Sequence, residues 1–386
     1  MTLAGSPAHS ASHTSGSEET QNVPPESPAA DFGQRQLFRR LLLRPEPLLA
    51  LAPMQEVTDA SFWGLIQQRG GADAYWTEYS RVHVTSRPEK VVARAILANR
   101  TGQPVVAQLM GNDPESLARA ARAMEALPVA AIELNLGCPA PVVYRKCAGG
   151  GLLRHPELLD RVLAALRQAT SLPLSLKTRT GFDSDAQFDH LLDLYARHQP
   201  DLVIVHARTV AQGYRLPVRY DLIRRAVERL ACPVLANGHI HEAHQALRVL
   251  ALTGARGLMI GRAAIRNPWL FAQIRQAMAG RPVHRPTGHD LLAYIEQLWQ
   301  TYAMPGFPER LQTQRLKLFL NFIGEGLGPD APMFLHAIRR TQTRAEFFEV
   351  CRRFLDHNRP LDLVPSQPEP HDSIAGPTAI PTGTPN

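Results

Sequence analysis

Between residues 48 and 261 a short apolar run gives way, again and again, to a stretch of helical spacing, and few architectures accommodate that rhythm. The runs are LLALAPM (48–54), ADAYWTEY (72–79), PVVAQLMG (104–111), VAAIELNLG (129–137), LPLSLKTRTG (172–181), LVIVHART (202–209), PVLANG (233–238) and GLMIG (257–261). They are continuously apolar over short lengths, as expected of strands covered on both faces of a parallel sheet. Helical spacing fills 114–127, 156–170, 188–198, 220–230 and 242–253, with Asp113 placed to cap the first and Gly254 to end the last. Eight strand–helix units close best as an α/β fold of the (β/α)8 TIM barrel type. An open doubly wound sheet is the alternative. It normally sets a glycine fingerprint after its first strand, and APMQEVTD is not one.

Polar residues recur at one place in these units. Met54, Glu78, Gln108, Asn135, Lys177, Arg179, His206, Arg208, Asn237 and Arg262 all fall at or just beyond the C-terminal end of a run. In a barrel those ends converge on one mouth, where active sites are built. A single charged residue there is ordinarily a solvated loop residue; the whole set argues for an active site. Late strands commonly hold a phosphate. Gly238 and Gly261 let the backbone approach a ligand closely, and Arg262 offers a bidentate fork. Lys177, on an otherwise apolar strand, either stabilises negative charge on a cofactor ring or snorkels to solvent. Gln108 offers an amide donor and acceptor for the edge of a heterocycle.

The rhythm changes after about residue 286. Helical spacing over 291–302, 309–322, 331–340 and 345–357 suits a small helical domain rich in Arg and Lys, including Arg310, Arg315, Lys317, Arg339, Arg340, Arg344, Arg352 and Arg353. The expected division is a tail at 1–30, a barrel at 31–285, a helical domain at 286–360 and a second tail at 361–386. Each tail holds three acids and no Lys or Arg, so the +7 of the whole chain becomes +13 for residues 31–360. Such a balance serves either solubility or a polyanionic partner, nucleic acid being the usual one. No apolar run approaches the ~18 residues of a membrane span. The first thirty residues lack the basic stretch and apolar core of a secretory signal. The four cysteines, Cys138, Cys147, Cys232 and Cys351, form no metal-binding spacing. Reduced thiols, a cytoplasmic setting, no metal, no membrane and a monomer are expected.

In order and spacing, APMxxVTD, TEYSR, QLMG, ELNLGCP, GGGLL, LKTRTG, HARTVAQGYR, ANGHI and MIGRAAIRNPWLF resemble the tRNA-dihydrouridine synthases over about residues 48–272. The resemblance implies an FMN-binding barrel followed by a helical RNA-binding domain. The family reduces the C5–C6 double bond of particular uridines in tRNA. NADPH (or NADH) reduces the flavin, hydride passes from flavin N5 to C6, and a cysteine delivers a proton to C5. Carried onto this chain, Cys138 is the proton donor and Asn135 lies against the uridine. Pro53, Met54 and Gln55 line the flavin, Gln108 and Lys177 meet its ring edge, and His206 also contacts it. Asn237, Gly238, His239, Gly261 and Arg262 hold the ribityl-phosphate end. Arg179 and Arg208, at strand ends in the same mouth, are taken as tRNA contacts.

The chemistry of a thiol agrees with the acid role. At a pKa of about 8.5 it is mostly protonated near neutrality, and a positioned acid quenches the charge that hydride addition builds toward C5. The motif has no adjacent histidine to act as base for a nucleophilic cysteine. A buried structural thiol is the plain alternative, and Cys147 is taken as incidental.

Within the family, TEYSR and QGYR are most similar to the bacterial C-type enzymes, which act on uridine 16 of the D-loop. Arg81 and Tyr214, and Arg315 and Lys317 in the helical domain, match tRNA-contact positions of that type. Lys146 with Arg145 is closer to the B-type. The family's usual glycine after APM is Glu56 here. The glycines at 149–151 are expected to shape a mobile loop beside the substrate. Two other readings remain open: an FMN barrel acting on a small pyrimidine, and a tRNA-binding protein without catalysis.

Overall fold

A computed structural model describes residues 28–87, 90–304 and 306–365. Every apolar run becomes a strand: β1 (Leu48–Leu51), β2 (Ala74–Trp76), β4 (Val105–Met110), β5 (Ala131–Leu136), β6 (Leu174–Arg179), β7 (Leu202–His206), β8 (Val234–Asn237) and β9 (Gly257–Ile260). A two-residue β3 (Ser80–Arg81) rides on the end of β4. The order is β2-β1-β9-β8-β7-β6-β5-β4-β3, all neighbours are parallel, and β2 also pairs with β4. That last pairing closes the sheet, so the fold is the barrel and not the open alternative. The helices fall where spacing put them. Asp113 accepts from the Ser116 N–H at the start of Pro114–Met124, and Gly254 ends Ala243–Thr253 at φ +65°.

Side chains alternate along each strand, and the inward set changes character with height. At the lower end Leu48, Ala50, Trp76, Val106, Ala131, Leu202, Ile204, Leu235 and Met259 form one apolar cluster. Phe38, Leu41 and Leu42 join it from the helix Pro28–Leu43, with Phe38 edge-on to Trp76 at 6.3 Å. This helix closes the N-terminal end of the barrel. Sequence reading did not assign it, and its first three residues fall inside the expected tail. Higher up, the inward residues turn polar: Gln108 and Glu133 are in register, as are Asn135 and Lys177, and His206 and Asn237.

Four helices follow: Gly288–Tyr302, Glu309–Gly324, Ala331–Arg340 and Arg344–Leu355. Glu309–Gly324 packs against the barrel, with Phe319 stacked on Phe62 at 5.8 Å. The second tail does not begin at 361. Pro360 bridges to Thr287, Asp362 pairs with Arg285 at 2.8 Å, and Leu363 is 1 % exposed. The remainder of both expected tails, 1–27 and 366–386, lies outside the described residues. Among the described residues no helix is long and apolar enough to cross a membrane.

Candidate active site

A chain of hydrogen bonds runs up the inside of the barrel to Cys138. Glu133, fully buried on β5, accepts from Trp76 Nε1 at 2.8 Å, from Ser175 Oγ at 2.8 Å and from Gln108 Nε2 at 2.6 Å. The other end of the Gln108 amide, Oε1, accepts from Asn135 Nδ2 at 2.9 Å. Asn135 Oδ1 then takes the N–H groups of Gly137 and Cys138, each at 3.0 Å. Main-chain N–H groups only donate, so they fix Asn135 Oδ1 as acceptor and turn its Nδ2 to Gln108 Oε1, while Glu133, its carboxyl pushed up by burial, takes the Gln108 N–H from below. The thiol-bearing turn is therefore held from below. Sequence reading missed Glu133. Its signal was parity: an acid two residues before Asn135 in an apolar strand shares Asn135's face.

Beside this chain the mouth opens into a cavity of about 430 Å³. Pro53, Met54, Lys177, His206, Tyr214, Asn237, Gly238, His239, Gly261 and Arg262 line it, with Phe322 from the helix Glu309–Gly324. Nine expected cofactor residues and Tyr214 thus meet around one space. Gln108 lies below it and is already bonded at both ends of its amide, while Gln55 is solvent-exposed. At Gly238, with φ +116°, an added Cβ would lie 2.8 Å from His206 Cδ2, so only glycine lets the main chain pass the imidazole.

The electrostatics are those of a dry, cationic site. Burial pulls the Lys177 ammonium down to about 8, partly offset by the Glu133 carboxylate and by Cys138. Lys177 Nζ donates to Asn237 Oδ1 at 3.2 Å. His206 is held well below its ordinary range, first by burial and then by Arg179, Lys177, Arg208 and Arg262, so it is neutral at physiological pH. Arg208 Nη1 lies 3.4 Å from His206 Nε2. A guanidinium only donates, so Nε2 accepts there.

Arg179 and Arg208 are not at the surface where a tRNA backbone passes; each is 1 % exposed. Arg179 donates to Gly137 O, Thr209 O and Gly213 O, all at 2.9 Å. It ties the Cys138 turn to the loop after β7. Arg208 Nε donates to Leu216 O in the same loop. That loop presents Tyr214, 45 % exposed, whose ring lies 4.1 Å from the Arg262 guanidinium and 5.8 Å from His206. Arg81 is exposed beside Tyr79. Arg315 lies over Tyr302 at 4.5 Å and 3.6 Å from Asp59. Lys317 caps the end of Ala331–Arg340 through Arg339 O, at 3.0 Å, and Thr341 O.

One loop expectation changes. Gly149–Arg154 is a buried 3-10 helix rather than an open mobile loop. A Cβ on Gly150 would meet Val210 Cγ2 at 2.5 Å, and its N–H bonds Cys138 O at 3.2 Å, so the glycines allow close packing beneath the thiol. Glu56 sits at φ +66°, a conformation that favours glycine.

Comparison with known proteins agrees with this geometry. The dihydrouridine synthase (Dus) family model matches residues 50–304. The tRNA-dihydrouridine(16) synthase of Cupriavidus necator is 34% identical over 313 residues, covering 78% of this chain and 95% of that protein. The protein of the same name from Ralstonia nicotianae is 33% identical over 318 residues, 80% of this chain and 96% of that one. The tRNA-dihydrouridine synthase B of Yersinia pestis is 36% identical over 228 residues, 59% of this chain and 71% of that protein. With a family match that runs through the whole barrel and two of these relatives aligned over nearly their whole length, the chain belongs to the dihydrouridine synthase family.

Proposed function

We propose that this protein is an FMN-dependent tRNA-dihydrouridine synthase that reduces the C5–C6 bond of uridine 16 in the D-loop, with NADPH or NADH as reductant. Two of the relatives described above carry that position in their names. The donor set of the cavity suits a phosphorylated flavin. Arg262, His239 and Asn237 supply polar contacts for the ribityl-phosphate end, Lys177 a cation for the ring, and Gly238 leaves the main chain open to close approach.

Bound flavin supplies the hydride for C6. The remaining work falls to this chain's residues. Cys138 delivers a proton to C5, and Asn135 holds the Cys138 turn by its main chain. Lys177, within electrostatic reach of Cys138, stabilises negative charge in the cavity. Tyr214 shapes the entry for a base splayed out of the folded tRNA. Residues 31–285 bind the cofactor; residues 286–360, with Arg315, together with Arg81, meet the tRNA, whose phosphates position it and whose shape selects the uridine.

The observation that carries the reading is the pair of N–H bonds from Gly137 and Cys138 to Asn135, which fixes the thiol-bearing turn within electrostatic reach of Lys177 in the cavity wall. Mass mapping of dihydrouridine in tRNA from cells lacking the protein tests it. Loss at position 16 alone is expected. Loss at another position overturns the assignment of uridine 16, and an unchanged pattern overturns the function.

A further inference from the structure

From the cavity wall, where His239 and His241 lie with Arg262, a second polar chain runs out to the C-terminal helices. Arg266, 2 % exposed, has its Nη1 3.2 Å from His241 Nδ1. His241 Nε2 lies 3.0 Å from His239 Nδ1, the two rings edge-on with centroids 4.4 Å apart. On its other side Arg266 Nε donates to Phe322 O at 3.2 Å, and Nη2 pairs with Glu325. Phe322 and Glu325 belong to the helix Glu309–Gly324 and its C-terminal cap.

The direction of this chain follows from valence. A guanidinium has five N–H groups and no acceptor. His241 Nδ1 must therefore accept, and a doubly protonated His241 would set two donors against each other. The single proton of His241 lies on Nε2 and points at His239. His239 Nδ1 then accepts in turn, and the proton of His239 lies on its own Nε2, on a residue that lines the cavity with Arg262.

We infer that Arg266 and His241 are positioning residues that hold His239 as an Nε2–H donor toward a phosphate at the Arg262 end of the cavity, and that the C-terminal helix, through Glu325 and the Phe322 carbonyl, holds Arg266. This rests on the reading of the cavity as a flavin-phosphate site. It gives the C-terminal helices a part in cofactor binding as well as in tRNA binding. It also makes His239 a neutral donor, specific for a phosphate by direction rather than by charge.

Two measurements test it. Imidazole 15N NMR of the cofactor-free protein, with the histidines assigned through His239→Gln and His241→Asn, is expected to show both rings protonated at Nε2 only at neutral pH. A Nδ1–H tautomer at either ring overturns the relay, whatever the cavity binds. Affinities for FMN and riboflavin are then compared. Loss of one hydrogen bond to a charged group predicts that Arg266→Met and His241→Phe weaken FMN by about tenfold and leave riboflavin unchanged. His239→Gln, whose amide N–H reaches the place of Nε2, is expected to retain FMN affinity. An equal fall for both ligands, or none for FMN, overturns the positioning role. A wild-type protein that binds neither flavin overturns the functional reading and this phosphate role with it, while the tautomers still decide whether the relay exists.

Discussion

Gln108 gives an amide N–H to Glu133 at 2.6 Å, deep inside the barrel, and that bond decides which way the Gln108 amide faces. The consequence travels upward through Asn135 to the main chain of Cys138. The two amides beneath the thiol are thus held from both ends, by Glu133 below and by the main-chain N–H groups of Gly137 and Cys138 above.

Replacing Glu133 with Ala strands the donors of Trp76, Ser175 and Gln108 in a buried site. A loss of about 3 kcal/mol in folding stability is expected. Glu133→Gln keeps the volume but sets an amide N–H against the donors of Trp76, Ser175 or Gln108, so turnover is expected to fall by about tenfold with a smaller change in stability. Urea denaturation and single-turnover kinetics check the two outcomes; an E133A protein as stable as wild type contradicts the first.

Cys138→Ala removes the proposed acid. Dihydrouridine formation is expected to drop by at least about 100-fold, while flavin binding and flavin reduction by NADPH persist. Stopped-flow absorbance separates the two half-reactions. A variant that still reduces tRNA at the wild-type rate removes Cys138 from the mechanism.

The charge of Lys177 carries a pH dependence. Its ammonium is held at about 8 by burial, below the unfolded value of about 10.4. The unfolded chain therefore binds more protons between these values, so stability rises with pH across that window. Activity moves the opposite way, because the cation is lost as pH passes 8. Lys177→Met is expected to lower turnover by about tenfold at pH 7 and to flatten the alkaline limb. Rate profiles of both proteins from pH 6 to 9.5 decide; an alkaline limb unchanged in the variant assigns it to another group.

Glu78 shows a second titration. Burial, with Asp59 and Glu56 adding like charge, pushes its carboxyl up to about 7. The folded state holds the proton more tightly than the unfolded one, so stability falls as pH rises from about 4.5 to 7. Glu78→Gln is expected to gain about 1 kcal/mol at pH 8, solvent screening being allowed for, and nothing at pH 5. Glu56→Gly relieves the φ +66° backbone and removes one of the like charges, so the Glu78 titration shifts downward. Thermal melts across pH 5–8 check both; a Tm gap independent of pH refutes the assignment to Glu78.

Much of the barrel was legible because its cause is local. Continuous apolar runs demand cover on both faces, and the alternation of a strand points Gln108, Asn135, Lys177, His206 and Asn237 to one side. The cavity's lining followed from that, as did Gly238 and Gly261. The helix Pro28–Leu43 was not legible, since its apolar residues are placed by the barrel floor they cover. The order of residues 361–365 was hidden for the same reason: Leu361 and Asp362 are held by Pro286 and Arg285, more than seventy residues earlier in the chain.

By itself the sequence determined the closed barrel and the mouth at which polar residues gather, because periodicity and strand parity are properties of neighbouring residues. The tertiary structure alone decided which polar groups meet. Arg179 and Arg208 turn inward to carbonyls of the loop after β7, Glu133 becomes the acceptor beneath two amides, and Arg266 reaches from a helix outside the barrel to His241. Such choices are made by the cost of burying an unsatisfied donor, and the partner that removes that cost lies far away in sequence.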